Sequence, residues 1–215
     1  MSDQWRVELH SHSLWSKDCV VSFETILKLC EARQITRIAI TDHNTAEGAL
    51  ALHQRVPDRV IVGEEIMTTR GELLGYFLQE SIPAGLTPQE TIRELRAQGA
   101  VISVSHPFDR LRKGAWEEAD LCAIMEQVDA IEIFNARCIY PEDNARAIAF
   151  AKAHGLRGTV GSDAHSRSEY GRALQLMMPF SNAQEFLESL DKADHVGRYS
   201  SALVHLHSKT AKWSR

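Results

Sequence analysis

Five short runs of strand-forming residues in this 215-residue chain each close on a histidine or a carboxylate. Trp5 to Leu9 runs into His10-Ser11-His12, Arg37 to Thr41 into Asp42-His43-Asn44, and Val60 to Glu64 into Glu65. Val101 to Ser105 ends at His106, and Gly158 to Ser162 leads into Asp163-Ala164-His165. Segments of helical period lie between the runs. Strands that alternate with helices imply a parallel sheet, whose strand carboxyl ends share one side of the fold. Histidines and carboxylates gathered there make a metal site, at the rim where barrel enzymes carry their chemistry.

The alternation extends along most of the chain. Ser22 caps a helix whose apolar residues Ile26, Leu29 and Cys30 fall at helical spacing, and a second helix over about Ala46 to Gln54 leads through Pro57-Asp58 into the third strand. Leu73 to Phe77 reads as a fourth strand. Thr87-Pro88-Gln89-Glu90 opens a helix with a capping box and Pro at its first position, and Gly99 ends it. Trp116 to Val128 reads as helix, Ala130 to Phe134 as a sixth strand, Glu142 to His154 as a helix stopped by Gly155, and Asn182 to Leu190 as a last helix. Seven strands, with no dinucleotide glycine fingerprint after the first, favour a single-domain α/β fold of (β/α)7 TIM-like barrel type over a doubly wound sheet. The barrel is expected over residues 1–197, with a tail over 198–215.

Composition narrows the function classes. With 44% hydrophobic and 25% charged residues the chain can bury a full core, and a net charge of −5 argues against wholesale nucleic-acid binding. No window approaches the roughly 18 apolar residues of a spanning helix, and the first ten residues do not read as a signal peptide, so a cytoplasmic protein with no membrane partner is expected. Cys19, Cys30, Cys122 and Cys138 are scattered, which suggests buried free thiols rather than a zinc knuckle or disulfide framework.

Residues two apart on a strand point the same way, so His10 and His12 can grip one ion. Taken together, His10-x-His12, Asp18, Thr41-Asp42-His43-Asn44, Gly63-x-Glu65, Ser105-His106-Pro107 and Gly161-Ser162-Asp163-Ala164-His165 resemble the PHP (polymerase and histidinol phosphatase) domain over nearly the whole chain. The run from Glu72 to Leu78 and the stretch His106-Pro107-Phe108-Asp109-Arg110 look like a compact branch of that family. The resemblance implies a distorted seven-stranded barrel, two or three divalent ions (zinc, manganese or iron), and hydrolysis of a small phosphorylated metabolite or nucleotide by metal-activated water. It also implies a first ion on His10, His12, Glu65 and Asp163, a second shared by Glu65 with His106, and a third on Asp18, His43 and His165. Where many members carry a histidine before the fourth strand, this chain has Glu72, a ligand that would favour a harder metal such as manganese or iron.

Other residues are assigned supporting roles. Asp42 and His165 are the candidate catalytic residues, Asp42 by orienting an imidazole or protonating the leaving group. Glu132 and Asn135, with Arg137 beyond them, would line the pocket. Arg110 and Arg172 would hold phosphate through the planar guanidinium fork, whereas Arg112 and Lys113 read as solvated surface. His53, His154, His195, His205 and His207 read as solvated or structural. No Gly-x-Ser-x-Gly elbow is present, so no protein nucleophile is indicated. Two rival readings are an amidohydrolase-type C–N hydrolase and a non-catalytic metal-binding PHP module. A small phosphorylated substrate is the expected partner, and a nucleic-acid end is less favoured.

Overall fold

The protein is described here from a computed structural model over residues 4–201 and 204. In chain order the elements are β1 (Trp5–Glu8), α1 (Phe23–Ala32), β2 (Arg37–Ile40), α2 (Glu47–Arg55), β3 (Val60–Met67), β4 (Glu72–Tyr76), α3 (Pro88–Ala97) and β5 (Val101–Val104). They continue with α4 (Glu118–Cys122), β6 (Ala130–Asn135), α5 (Pro141–His154), β7 (Arg157–Gly161), β8 (Ala173–Met177), α6 (Ala183–Leu190) and β9 (Asp194–Gly197). Caps form where side chains can satisfy orphan amides. Ser22 accepts from the Thr25 amide, Thr87 and Glu90 form the reciprocal capping box, and Gly155 ends α5 in the left-handed conformation at φ 65°.

The nine strands form one sheet in the order β7-β6-β5-β4-β3-β2-β1-β8-β9. It curls into a nearly closed barrel. At the mouth, Ser11 bridges Ala164 in parallel, the His12 amide donates to the Ala164 carbonyl at 2.9 Å, and the Asp163 amide donates to the His10 carbonyl at 2.8 Å. Lower down, β8 pairs antiparallel with β1 and fills the seam between β1 and β7. Buried Glu8 staples this seam, accepting from the amides of His10, Ser162 and Gly171 and from the Ser162 hydroxyl. Burial pushes its carboxyl up to about 7, against the pull of those donors.

The structure corrects the regular alternation at one decisive place. β4 runs antiparallel to both β3 and β5, because only residues 68–71 connect it to β3 and a parallel crossover needs a dozen or more residues. Thr68 builds the turn, its amide and hydroxyl both donating to the Gly71 carbonyl at 2.9 and 2.7 Å. Gly71 leaves room for the Trp116 ring, which would lie 2.4 Å from a Cβ at that position. The reversal brings the first residue of β4, Glu72, to the rim where β3 and β5 end. Glu65 is likewise inside a strand rather than at its end, since β3 continues to Met67 along the β4 hairpin.

Three further differences concern single elements. The expected helix over Trp116 to Val128 is helical only over α4, after which tight turns, Ile124 amide to Leu121 carbonyl and Gln127 amide to Ile124 carbonyl, bury Leu121, Ile124 and Val128 by another path. β8 and β9 were not anticipated. Residues 198–200 stay on the barrel where a tail was expected, the Ser200 amide donating to the Ala136 carbonyl and the Tyr199 ring lying 5.1 Å from Phe134. His205 and His207 lie outside the described residues.

One face of the sheet packs under the helices and the other fills the barrel. Inside, Val7, Ala39, Ile61, Leu74, Tyr76, Val101 and Ala130 meet Phe180 and Phe186, which plug the floor. Period-two spacing puts Glu65 on the face of Ile61, Glu72 on that of Leu74 and Glu132 on that of Ala130. The interior thus changes from apolar to acidic toward the mouth. Among the described residues no helix is long and apolar enough to cross a membrane.

Removing the α3 cap with Thr87→Ala should lower unfolding stability by about 1 kcal/mol with an unchanged urea m-value, because the capping box is exposed and makes no contact with the barrel mouth. Equilibrium urea unfolding measures this.

Candidate metal centre

Local pairing turns the ligand side chains inward. Ser11 is pinned to the neighbouring strand, its hydroxyl donating to the Ala39 carbonyl at 2.6 Å and its amide to Thr41 Oγ1 at 3.1 Å, and His10 and His12 on either side are fully buried. His10 Nε2 lies 3.3 Å from Glu65 Oε1 and 3.7 Å from Asp163 Oδ1; His12 Nε2 lies 3.4 Å from Glu65 Oε2 and 3.3 Å from Asp163 Oδ1. His43 Nδ1 is 2.9 Å from Glu65 Oε2 and 3.9 Å from Glu72 Oε1. His106 Nε2 meets Glu65 Oε1 at 2.9 Å and Glu72 Oε2 at 3.5 Å. Asp18 faces His43 Nε2 at 3.6 Å and His165 Nε2 at 3.4 Å. The donor atoms form three overlapping groups, His10/His12/Asp163, His12/His43/His165 and His43/Glu65/Glu72, each gathered within 4.8 Å.

The hydrogen bonds show that this set suits cations. His10 Nδ1 is 3.0 Å from Glu132 Oε1, so Nδ1 carries a proton toward that acceptor and Nε2 is the nitrogen turned to Glu65 and Asp163. Ser16 spends its one hydroxyl proton on Asp42 Oδ1 at 2.8 Å, so its oxygen accepts from His12 Nδ1 at 3.1 Å, and His12 Nε2 is bare. Both Nε2 atoms, with Glu65 Oε2 and Asp163 Oδ1, are buried without a hydrogen-bond partner. A lone pair facing carboxylate oxygens in a buried interior is repelled, and a divalent cation among them removes the conflict. Electrostatics divide the pair: burial opposes a charge on His10, but Glu65, Asp163 and Glu132 raise it well above the usual imidazole range, so a cation at its Nε2 competes with a proton. Burial and the neighbouring His165 and His43 hold His12 well below the usual imidazole range, whereas burial and the Glu65 charge beside it raise the Glu72 carboxyl. Burial opposes the charges of Glu65 and Asp163 but is outweighed, by His10 and His43 at Glu65 and by Arg112 and His10 at Asp163.

The supporting residues explain this precision. Asp42 is saturated by Ser13, through its amide and hydroxyl, and by Ser16, so it acts on His12 through Ser16 rather than facing the opening. Glu132 and Asn135 also turn from the cleft. Glu132 accepts from His10 Nδ1, the His106 amide and Asn135 Nδ2, while Asn135 Nδ2 also reaches Asp163 Oδ2 at 3.3 Å. Asp163 sits in the left-handed region at φ 51°, a strained choice for a non-glycine residue that aims its carboxylate at the histidines.

A cleft of about 1050 Å³ opens over the cluster, bordered by Asp18, His43, Glu72, Arg112, Arg137 and His165. Arg112 is not the solvated residue its sequence context suggested. It reaches inward, donates to Asp163 Oδ2 and has Asp109 3.5 Å from its Nε. Arg137 lies 2.6 Å from His165 Nδ1 and 3.1 Å from Glu169, a partner that the sequence reading missed although it stands one helical turn after His165. Lys113 is exposed at the cleft edge. Arg110 and Arg172 are not brought into the cleft. Arg110 pairs with Asp143 at 2.5 Å and covers the Tyr140 ring, and Arg172 Nε donates to the Ser168 carbonyl at 3.1 Å. His53 bonds the Val60 carbonyl and His154 packs on Phe150, both away from the cluster.

A nearly closed α/β barrel that gathers five histidines and four carboxylates at its mouth is a metal-binding barrel. Residues 141–194 match the family model described as PHP-associated. The uncharacterized protein MJ0417 of Methanocaldococcus jannaschii is 37% identical over 172 residues, which span 78% of this chain and 68% of that protein. Among solved structures, PsfC from Pseudomonas syringae superposes with a TM-score of 0.72 at 20% identity, covering 99% of both chains. A two-domain protein containing a predicted PHP-like metal-dependent phosphoesterase, from Bacteroides vulgatus, superposes with a TM-score of 0.69 at 20% identity, over 91% of this chain and 65% of that one. The chain belongs to the PHP domain family.

Replacing Glu132 by Gln should weaken metal binding about 10- to 100-fold without unfolding the barrel, because the amide no longer fixes the His10 tautomer by charge. Competition against a chromophoric chelator reads the affinity, and circular dichroism the fold. The double variant His10→Ala/His12→Ala should lose at least one metal equivalent by elemental analysis.

Proposed function

We propose that this protein is a metal-dependent phosphoesterase. The observation that carries the reading is the pair of His10 and His12 Nε2 atoms, buried without a hydrogen-bond partner and set against Glu65 and Asp163 beneath an open cleft. Three overlapping donor groups suit two or three closely spaced ions of zinc, manganese or iron, with Glu65 positioned to serve more than one. Bound there, divalent ions would supply Lewis acidity toward a phosphoryl oxygen and acidify water at neutral pH.

The chain's own groups then have distinct tasks. His10, His12, Asp18, His43, Glu65, Glu72, His106, Asp163 and His165 hold the ions, and Asp42 and Glu132 fix imidazole tautomers. Arg112 is the phosphate holder, in place of Arg110 and Arg172, because its guanidinium already lies in the cleft against Asp163 and its planar fork suits two phosphoryl oxygens. Arg137, bonded to His165, steadies that imidazole at the cleft wall. His165 borders the opening as a ligand: its Nδ1 is taken up by the Asp163 carbonyl and Arg137, and its Nε2 faces Asp18 and His43, so it serves the ions rather than the leaving group. Solved structures with the same fold at low identity include a protein described as a PHP-like metal-dependent phosphoesterase, and that name supports the reaction class.

Purified protein loaded with manganese, zinc or iron should hydrolyse members of a phosphoester panel, lose activity to chelator and regain it with metal. Inertness on every phosphoester while amides or lactones turn over would move the chain to the amidohydrolase-type reading; inertness on all of them would leave a binding module. Arg112→Ala should lower kcat/KM about 10- to 100-fold, the value of one charged hydrogen bond, with Arg112→Lys recovering only part. Steady-state kinetics beside metal analysis separates that loss from loss of ions.

A further inference from the structure

Trp15 stands between two ligand positions, His12 and Asp18, and lines the same cleft as Asp18, His43 and His165. It is a large aromatic side chain left 42% exposed, and among the described residues its ring pairs with no other aromatic. Its inner side is seated on α2, where a Cβ at Gly48 would lie only 2.6 Å from Trp15 Cγ. The glycine lets the indole pack directly on helix backbone. The Trp15 amide donates to Ser13 Oγ at 3.2 Å, and Ser13 in turn donates to Asp42, so the loop that carries the ring is anchored to buried structure. An aromatic surface backed by α2 thus lies partly exposed beside the candidate metal donors.

The size and lining of the cleft extend the argument. At about 1050 Å³ it is far larger than a phosphate needs and reaches the upper end of the range for drug-sized ligands, about 300–1,000 Å³. Met67 and Leu111 add apolar wall, Leu111 being 58% exposed. We propose that Trp15 is a stacking platform that selects a phosphoester whose alcohol carries a flat aromatic or heteroaromatic ring. The inference rests on the phosphoesterase reading and names its substrate class. A saturated ring of the same bulk buries comparable area on the indole but lacks the attraction between aromatic faces, which amounts to about 3- to 10-fold in affinity.

Benzylphosphonate and cyclohexylmethylphosphonate, anions matched in charge and size that cannot be hydrolysed, test this by calorimetry on metal-loaded protein. Wild type should bind the benzyl compound about 3- to 10-fold more tightly, Trp15→Phe should keep the preference, and Trp15→Ala should bind both alike. Equal binding by wild type, no binding of either anion, persistence of the preference in Trp15→Ala, or its loss in Trp15→Phe would overturn the proposal. Metal content measured on each variant guards against a displaced loop. Kinetics with benzyl phosphate keep the two readings apart. A ring preference in binding with no ester turned over would remove the hydrolytic function and leave Trp15 its role, whereas turnover without ring preference would do the reverse.

Discussion

Charged and lone-pair atoms held face to face in a buried cluster are the constraint on which the mouth of this barrel depends. Glu65 and Asp163 are fully buried and face His10 and His12 Nε2 atoms that lack a hydrogen-bond partner, so the set is costly by itself and favourable around cations. The surrounding protein supports that arrangement. Glu132 and Ser16 take the Nδ1 protons, Asp42 takes the Ser16 proton, and Arg112 and Arg137 offset negative charge from the cleft side. Each link leaves the metal-facing atom of the next residue with nothing else to bind.

The barrel can hold such a cluster because its seam is tied on both sides of the ligands. His10 and Asp163 are joined through backbone, and Glu8, the last residue of β1, gathers donors from both sides of the seam. Below the cluster, Phe180 and Phe186 close the floor with apolar packing, and the cleft opens on the opposite side. That placement matters for hydrolysis. In the proposed function it would let a substrate approach bound ions from the cleft while the ligand network behind them stays buried, where electrostatic interactions are stronger.

Much of the site was legible before the fold. His10, His12, His43, His106 and His165 follow strand-like runs, and the structure brings all five within reach of Glu65, Asp18, Glu72 or Asp163. The misreadings share one cause, that partners distant in sequence decide what a polar side chain does. Arg110 and Arg112 are two residues apart and look alike in the chain, yet Asp143 holds one on the surface and Asp163 draws the other into the cleft. Glu132 and Asn135 read as pocket lining, but the side chains they meet, His10 and Asp163, come from the segments just past β1 and β7.

What the sequence determined by itself was the class of chemistry and the two periods that carry it: apolar alternation places ligands on one strand face, and capping residues such as Thr87 and Gly155 mark helix ends through local bonds alone. The direction of β4 was also within its reach, because four residues between Met67 and Glu72 cannot span a parallel crossover. Only the tertiary structure decided the tautomers of His10 and His12, the inward turn of Arg112, the exposure of Trp15 over Gly48 and the insertion of β8 into the seam. Those features are settled by contacts across tens to more than a hundred residues of chain, and local propensity carries no information about which distant partner a side chain will meet.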